Sequence, residues 1–272
     1  MGTTEVPAHP TRIVGLDYDV LDAMTALGFE PVGGTEAIPG FDIPEYLRSQ
    51  LGDMQLVGTI EEPDLEAIAA LDPDLIISTK VRHEAIYRRL SQIAPTVFGE
   101  DVGSTWKENI PIYGEAVGKG QEAEALLAAY EERATELGEH IAEEFGEEPT
   151  ISMVRFLHRE TRIYLKDNFI GSILDDVGLP RPEAQDVEDF ALYPSEEQIE
   201  LMAGDVIFYT HYGPAEETTL PAITSNPLWQ SLDAVERGRA YNVPEDHWIV
   251  GIGVQAADLV LDDLEEILLE GR

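Results

Sequence analysis

Residues 121–145 have the sequence QEAEALLAAYEERATELGEHIAEEF, which is rich in alanine, glutamate and leucine and contains no proline. Large apolar side chains recur in it near helical spacing, at Leu126, Tyr130, Leu137, Ile141 and Phe145. About 24 residues at a rise of 1.5 Å form a rod of roughly 36 Å, comparable to the width of a domain. The pattern therefore predicts one long helix with a lobe of the protein on each side.

Strand and helix patterns alternate on the N-terminal side of this helix. Strands are predicted at residues 12–16, 75–79 and 96–98, and helices over 20–27, 64–71 and 84–93. The segment 75–79 is uncharged and opens on three large apolar residues, as in a strand that is buried on both faces of a parallel sheet. This alternation is typical of a doubly wound or three-layer α/β domain.

The alternation resumes on the C-terminal side, with strands at 151–156, 162–164 and 206–210 and a helix over 170–177. Two segments also match between the halves: 12–28 aligns with 162–178, and 63–79 aligns with 194–210. We therefore predict an α/β protein of two Rossmann-like lobes, residues 1–120 and 147–272, joined by the long helix at 121–146. In such a fold the ligand is expected in the cleft between the lobes, at the carboxyl ends of the strands.

Composition excludes several kinds of protein. The 272 residues carry a formal net charge of −37. A chain with so few basic residues could not neutralise the phosphates of a nucleic acid or an anionic membrane surface, which argues against both as partners. The absence of cysteine excludes disulfides, thiolate metal sites and thiol nucleophiles. No apolar run is long enough to span a bilayer, and residues 1–7 lack the features of a signal peptide. We expect either a cytoplasmic protein or the mature form of an exported one.

Basic side chains cluster directly after the apolar strand at 75–79, where Lys80, Arg82 and His83 fall within four positions. In so acidic a chain this is a local anomaly, and it lies at the carboxyl end of a predicted strand. A guanidinium offers a planar fork that suits carboxylates and chelate oxygens. The cluster therefore predicts an anion-binding edge, for which pairing with neighbouring acids is the alternative.

The second lobe repeats this feature at Arg155 and Arg162, while Tyr209 and His211 fall at the end of its apolar strand. Trp106 and Trp248 lie in predicted loops and are candidates for aromatic walls of a pocket, although loop tryptophans also serve as packing residues. No two histidines are spaced as a helical metal pair, and no nucleophile is accompanied by a base. The sequence therefore gives no catalytic residues and no metal ligands.

Several short motifs carry a resemblance that covers essentially the whole chain. They are PAHPTRIV at 7–14, EPDLEAI at 62–68, PDLII at 73–77, IAPTV at 93–97 and NPLW at 226–229. With these motifs the chain resembles the substrate-binding proteins of ABC importers, in the helix-linked class that serves ferric siderophores, cobalamin and haem. KVRHEAIY at 80–87, together with TWKEN at 105–109, is similar to the branch that binds hydroxamate or citrate-based ferric siderophores.

The resemblance implies a pocket, a ligand and a partner. The pocket would be lined by Arg82, His83, Trp106, Arg155, Tyr209 and Trp248. The ligand would be a ferric siderophore whose own oxygens hold the Fe(III), so that the protein needs no cofactor. Glu66 and Glu197 occupy matching positions in the two halves and would dock the protein on its membrane permease. We further expect a monomer that is exported to the cell surface or periplasm and is lipid-anchored in its full-length form.

The residues alone leave two other functions open. One is the capture of cobalamin or haem by the same fold. The other is a cytoplasmic α/β enzyme acting on an anionic substrate, which would need an acid and a base with perturbed pKa values in the cleft.

Overall fold

A computed structural model describes residues 2–37, 43–146 and 148–271 of the chain. The predicted domain limits at residues 1, 147 and 272 fall outside this set. Contacts between residues divide the chain into two units, and each unit contains one five-stranded sheet. The first unit comprises Met1–Tyr130 and Val250–Leu259, and the second comprises Glu131–Ile249 and Val260–Arg272.

The sheet of the first unit is wholly parallel, with the strand order β3-β2-β1-β4-β5. Its strands are β1 (Ile13–Gly15), β2 (Gly33–Glu36), β3 (Gln55–Thr59), β4 (Leu75–Thr79) and β5 (Thr96–Gly99). All five residues of β4 are buried, as its uncharged sequence predicts. Because parallel strands run in the same direction, the chain leaves all five at one edge of the sheet.

Within residues 2–37 and 43–119, six helices and two 3-10 turns accompany this sheet. They are α1 (Tyr18–Ala26), α2 (Glu45–Arg48), α3 (Leu65–Ala70), α4 (Lys80–His83), α5 (Tyr87–Leu90) and α6 (Trp106–Ala116), with the turns Glu84–Ile86 and Gly103–Thr105. Asp64 caps α3 by accepting hydrogen bonds from the backbone nitrogens of Glu66 and Ala67. The single helix predicted over 84–93 is wrong, since the chain forms short turns there. The break lies at Ile86, whose φ of −109° and ψ of 2° separate the 3-10 turn from α5.

The long predicted helix is confirmed as α7 (Gly120–Phe145), which ends at Gly146 with a positive φ of 75°. Its buried side chains form a stripe at helical spacing, comprising Ala123, Tyr130, Ala134, Leu137 and Ile141. Gly138 allows the helix to approach Val177 closely, because a Cβ at this position would lie 1.8 Å from the carbonyl oxygen of Val177. The division between the two units falls within α7, after Tyr130.

The sheet of the second unit is mixed, with the strand order β10-β9-β6-β7-β8. Its strands are β6 (Ile151–Phe156), β7 (Thr161–Tyr164), β8 (Ala191–Leu192), β9 (Val206–His211) and β10 (Ala240–Asn242). Strands β6, β9 and β10 are parallel, whereas the hairpin from β6 to β7 and the pairing of β7 with β8 are antiparallel.

The remaining helices follow in the second half of the chain. They are α8 (Phe169–Asp176), α9 (Leu220–Thr224), α10 (Pro227–Gln230), α11 (Asp233–Glu236) and α12 (Val254–Glu265), with 3-10 turns at Ile199–Met202 and Ala215–Glu217 and π-helical turns at Asp246–Val250 and Glu266–Glu270. Among the described residues, no helix combines the length and the apolar character needed to cross a membrane.

The two sheets share one strand order when β1 is matched with β6 and β4 with β9. The sequence match of 63–79 with 194–210 agrees with this correspondence, since it aligns β4 with β9. The match of 12–28 with 162–178 is wrong, because it aligns β1, a central parallel strand, with β7, which runs antiparallel to its neighbours. The predicted class of two α/β lobes and a long helix is nevertheless confirmed.

Candidate functional site

Arg82 lies in α4, directly beyond the carboxyl end of β4. Its Nε donates to Asp17 Oδ2 at 3.0 Å, and its Nη1 lies 3.4 Å from Glu61 Oε1. Asp17 follows β1, the strand beside β4, so the sheet itself brings the two residues together. Burial acts most strongly and lowers the pKa of Arg82, but the charge and hydrogen bond of Asp17, together with the charge of Glu61, outweigh burial, so this pKa is raised. About a third of the Arg82 side chain remains exposed.

Lys80 accompanies Arg82 at the same edge. Its Nζ lies 2.6 Å from Glu100 Oε1, just beyond β5, and this contact raises the pKa of the lysine. Lys80 and Arg82 line a shallow cavity of about 470 Å³ together with Glu100. The predicted basic edge therefore exists, and each of its two cations already has an acidic partner.

His83 is placed in the core, with 2 % of its surface exposed. Its Nε2 donates to the carbonyl oxygen of Ile60 at 2.7 Å, and its Nδ1 lies 2.6 Å from Ser78 Oγ. Burial lowers the pKa of His83, so the ring is neutral and Nδ1 accepts from the serine hydroxyl. With both nitrogens engaged, His83 fixes α4 against the sheet, which corrects its prediction as a ligand-binding residue.

Trp106 is also corrected to a core residue. It begins α6 and is 1 % exposed, with its ring edge-on to Tyr130 of α7 at a centroid distance of 5.0 Å. Burial of such a large side chain stabilises the contact of α7 with the first unit. A side chain so completely buried does not line a ligand pocket.

Buried carboxyl groups near Arg82 were missed by the sequence reasoning. Asp19 lies two residues after Asp17 and accepts hydrogen bonds from Tyr113 Oη at 2.8 Å and Asn109 Nδ2 at 3.2 Å. Burial raises its pKa to about 8, and the neighbouring charge of Asp17 adds to the effect. The signal in the sequence was the run Gly15-Leu16-Asp17-Tyr18-Asp19, with acids directly after a strand.

In the second unit the main cluster forms around Arg155 on β6. Its Nη2 pairs with Glu245 Oε1, its Nη1 donates to Tyr164 Oη at 3.1 Å, and its Cζ lies 5.0 Å from the centre of the Tyr212 ring. The arginine side chain is 12 % exposed and that of Glu245 is 17 % exposed. Glu245 was missed because it is distant in sequence from β6, whereas Tyr212 directly follows the predicted residue His211.

Arg162 lies beside Arg155, because the β6–β7 register pairs the two residues directly and places their side chains on one face. Its Nε lies 2.5 Å from Glu160 Oε1, and its Cζ lies 5.7 Å from the centre of the Tyr193 ring. Arg162 is partly buried, and its acidic partner raises its pKa although burial acts in the opposite direction. The two predicted arginines therefore do share a surface of the sheet.

Tyr209 belongs to the other face of this sheet. It pairs in register with Val154 and packs edge-on against Phe156 and Trp229, with ring centres 5.9 Å and 6.0 Å away. It therefore lies with the core and away from Arg155. His211, at the end of β9, has Nδ1 2.9 Å from the carbonyl oxygen of Gly213 and is partly buried.

Trp248 is fully buried within the second unit, which corrects its prediction as a pocket residue. Its Nε1 donates to Asp263 Oδ2 at 2.7 Å, and its ring lies 4.8 Å from that of Phe208. The same carboxylate oxygen lies 2.7 Å from Nε2 of His247. These contacts anchor the π-helical turn to α12.

The two predicted docking acids are exposed. Glu66 lies in the first turn of α3, and Glu197 lies in the turn before the 3-10 helix Ile199–Met202. These positions correspond in the two units. Glu66 lies in the helix that leads into β4, Glu197 lies in the turn that leads into β9, and β4 and β9 are the matched strands. Among the described residues, no three histidine or acidic side chains converge as a metal site would require.

Two α/β units with matching strand orders, connected by one long helix, define the class of helix-linked solute-binding proteins. The chain belongs to the periplasmic binding protein family, whose model matches residues 13–247. The expectation of a binding protein rather than an enzyme is thereby confirmed.

Individual relatives extend over the full chain. The probable siderophore-binding lipoprotein YfiY of Bacillus subtilis is 39 % identical over 285 residues, covering 100 % of this chain and 87 % of that protein. The Fe(3+) dicitrate-binding periplasmic protein FecB of Escherichia coli is 31 % identical, covering 98 % of this chain and 87 % of that protein. Staphylococcus aureus SirA, solved in complex with staphyloferrin B, has a TM-score of 0.89 at 32 % identity, covering 98 % of this chain and 96 % of that one.

Proposed function

We propose that this protein captures a ferric siderophore of the hydroxamate or citrate-hydroxamate type and delivers it to an ABC importer. The observation that carries the proposal is Arg155, held between a tyrosine ring and a tyrosine hydroxyl on the sheet of the second unit. A guanidinium so fixed suits the planar oxygen pairs of carboxylate and hydroxamate groups. The names of the relatives, which include binding proteins for siderophores and for ferric citrate, support the same ligand class.

Arg82 and Lys80 form the corresponding cationic surface of the first unit. Arg162 and His211 complete the candidate set of the second unit, whereas the three buried side chains His83, Trp106 and Trp248 support it from the core. We propose that the chelator alone holds the Fe(III) and that no protein side chain ligates it. Tyr209 acts through the core beneath Arg155 by fixing the position of β9.

Delivery requires a membrane partner. We propose that Glu66 and Glu197, one exposed acid on each unit, contact basic residues of the permease, and that the protein works as a monomer. Two of the relatives are named as lipoproteins of siderophore or ABC transport, which supports an exported protein that is lipid-anchored in its full-length form.

The test is calorimetric titration of the purified protein with ferric citrate, a ferric citrate-hydroxamate, a ferric trihydroxamate, cyanocobalamin and haemin. We expect a dissociation constant below about 1 µM for at least one ferric chelate, which corresponds to roughly 8 kcal/mol of binding free energy. Arg155→Ala and Arg82→Ala should each weaken that binding at least tenfold. Arg159→Ala, which removes an exposed arginine in the β6–β7 turn, is the matched control.

Three results would contradict the proposal. Tight binding of cyanocobalamin or haemin with no binding of ferric chelates would assign the protein to the other ligand classes of the same fold. Failure to bind any of the five probes would remove the proposed function. Equal losses from the variants Arg155→Ala and Arg159→Ala would show that the cluster around Arg155 is not the binding surface.

A further inference from the structure

Glu245 lies between β10 and the π-helical turn, and it reaches Arg155 from a distant part of the sequence. The carboxylate and the guanidinium are both largely buried, yet neither is fully satisfied. Among the described residues, Glu245 Oε2 and Arg155 Nε have no hydrogen-bond partner. Burying such a pair costs desolvation free energy, and the hydrogen bonds that are not made leave part of this cost uncompensated.

A partly buried carboxylate of the same unit shows the difference. Asp263 Oδ2 accepts from Trp248 Nε1 and also lies 2.7 Å from His247 Nε2, so this acid holds two partners in place. Glu245, by contrast, interacts with Arg155 and with the hydroxyl of Thr210, and its Oε2 is left without a hydrogen-bond partner. Because the hydrogen bonds of this pair are incomplete, another carboxylate can replace Glu245 more easily than it could replace an acid whose hydrogen bonds are all made.

The surroundings of Arg155 leave one route to its guanidinium. The ring of Tyr212 covers one face, and Tyr164 Oη accepts from Nη1. Nε is buried, and 12 % of the side chain is exposed. A ligand carboxylate that pairs with Nη2 of Arg155 in the position of Glu245 must therefore displace Glu245.

We propose that Glu245 is a built-in counter-ion of Arg155 which a carboxylate of the bound chelate displaces, and which thereby sets the charge selectivity of the site. This inference rests on the proposed function, since it assumes that Arg155 contacts the chelate. Glu245 keeps Arg155 neutralised and oriented when no ligand is present. It also imposes a penalty on acidic ligands that a ligand without carboxylates does not meet.

Displacement also has a consequence for protons. The charged groups that act on Glu245 are Arg155 on β6 and His211 at the end of β9, and the phenol of Tyr212 lies on the other side of Arg155. Burial raises the pKa of Glu245, and Arg155 opposes this effect. When a ligand carboxylate pairs with Arg155, burial of Glu245 is opposed only by the Thr210 hydrogen bond and the charge of His211, so the pKa of Glu245 rises further. Glu245 then takes up a proton, and acidic chelates bind more tightly as the pH falls.

The test compares Glu245→Gln with the wild type for two probes, ferric citrate and a ferric trihydroxamate that carries no carboxylate. We expect Glu245→Gln to bind ferric citrate at least fivefold more tightly and the trihydroxamate within twofold of the wild type. Glu188→Gln is the matched control, because it removes an exposed carboxylate of the same unit that pairs with Lys166. This control should leave both affinities within twofold, which separates local displacement from the change in net charge.

A second measurement uses the wild type alone and does not depend on the folding of a variant. Calorimetry in two buffers of different ionisation enthalpy should show proton uptake on binding ferric citrate and none on binding the trihydroxamate. Unchanged ferric citrate affinity in a folded Glu245→Gln, or no proton uptake by the wild type, would overturn the counter-ion while leaving the proposed function intact. Failure of the wild type to bind ferric citrate, the ferric citrate-hydroxamate and the ferric trihydroxamate would instead overturn the proposed function, and this inference with it.

Discussion

Asp22, on α1, caps the N-terminus of α12 by accepting a hydrogen bond from the backbone nitrogen of Gln255 at 3.1 Å. Its other oxygen accepts from the backbone nitrogen of Ala256, also at 3.1 Å, and from Tyr46 Oη. The capping residue is thus supplied by the opposite end of the chain, whereas caps are usually supplied by the residue that precedes the helix. This contact ties the segment Val250–Leu259 into the first unit.

Replacing Asp22 with alanine should lower the free energy of unfolding by about 2–3 kcal/mol, because two backbone donors of α12 and a tyrosine hydroxyl lose their buried acceptor. Urea denaturation followed by circular dichroism would measure the change. Asp53→Ala, at an exposed position of the same unit, is the control and should change stability by less than about 0.5 kcal/mol. Equal effects of the two variants would contradict the capping role.

The buried carboxyls Asp19 and Asp22 predict how stability depends on pH. Burial raises their pKa values from an ordinary 3.8 to about 8 and about 7. Between these limits the folded protein binds more protons than the unfolded chain, so the two groups make the free energy of unfolding decrease as pH rises from about 4 to about 8. Asp19→Asn should make this decrease shallower, in denaturation series at pH 5, 6.5 and 8. An unchanged slope would show that Asp19 is ionised throughout the range.

Gly138 is expected to tolerate no side chain. A Cβ there would lie 1.8 Å from the carbonyl oxygen of Val177, which is backbone and cannot move without shifting α8. Gly138→Ala should therefore destabilise the protein by about 2 kcal/mol or more, despite the higher helix propensity of alanine. Gly120→Ala, at the start of the same helix, has its nearest neighbour at 3.6 Å and should be neutral or stabilising in thermal melting. A stabilised Gly138→Ala would mean that α7 and α8 are less closely packed.

Charge reversal should separate permease docking from ligand capture. The double variant Glu66→Arg, Glu197→Arg is expected to abolish uptake of the ferric chelate in cells while leaving its dissociation constant within about twofold. Both acids are exposed, so the variant should fold normally. Glu136→Arg, on an exposed position of α7, is the control for altered net charge and should support normal uptake. Normal uptake by the double variant would rule out these two acids as the docking residues.

The elements with strong local patterns could be predicted from the sequence. The strands β4 and β6 have the predicted bounds, and α7 begins within one residue of the predicted start. By contrast, β2 was missed because its sequence, Gly33-Gly34-Thr35-Glu36, has no apolar pattern. It is a strand for tertiary reasons, since a Cβ at Gly33 would lie 2.5 Å from Leu71 and one at Gly34 would lie 2.6 Å from Met54. Such close packing is invisible in a single sequence.

The candidate site divides in the same way. Arg82 and Arg155 could be found because a basic residue at the end of a buried strand is unusual in so acidic a chain. The acids that neutralise them could not, because Asp17 and Glu245 are brought to the arginines by strand order and by a distant turn. The prediction of Trp106 and Trp248 as pocket residues failed because both are buried. A tryptophan in a predicted loop has the same sequence pattern whether it faces solvent or the core.

The burial of the tryptophans determines what intrinsic fluorescence can report. All three, at positions 106, 229 and 248, are at most 3 % exposed, so their emission should be blue-shifted and resistant to aqueous quenchers in the native state. Trp106 belongs to the first unit and the other two belong to the second. A red shift during denaturation therefore sums the unfolding of both units, with Trp106 as the single indole of the first.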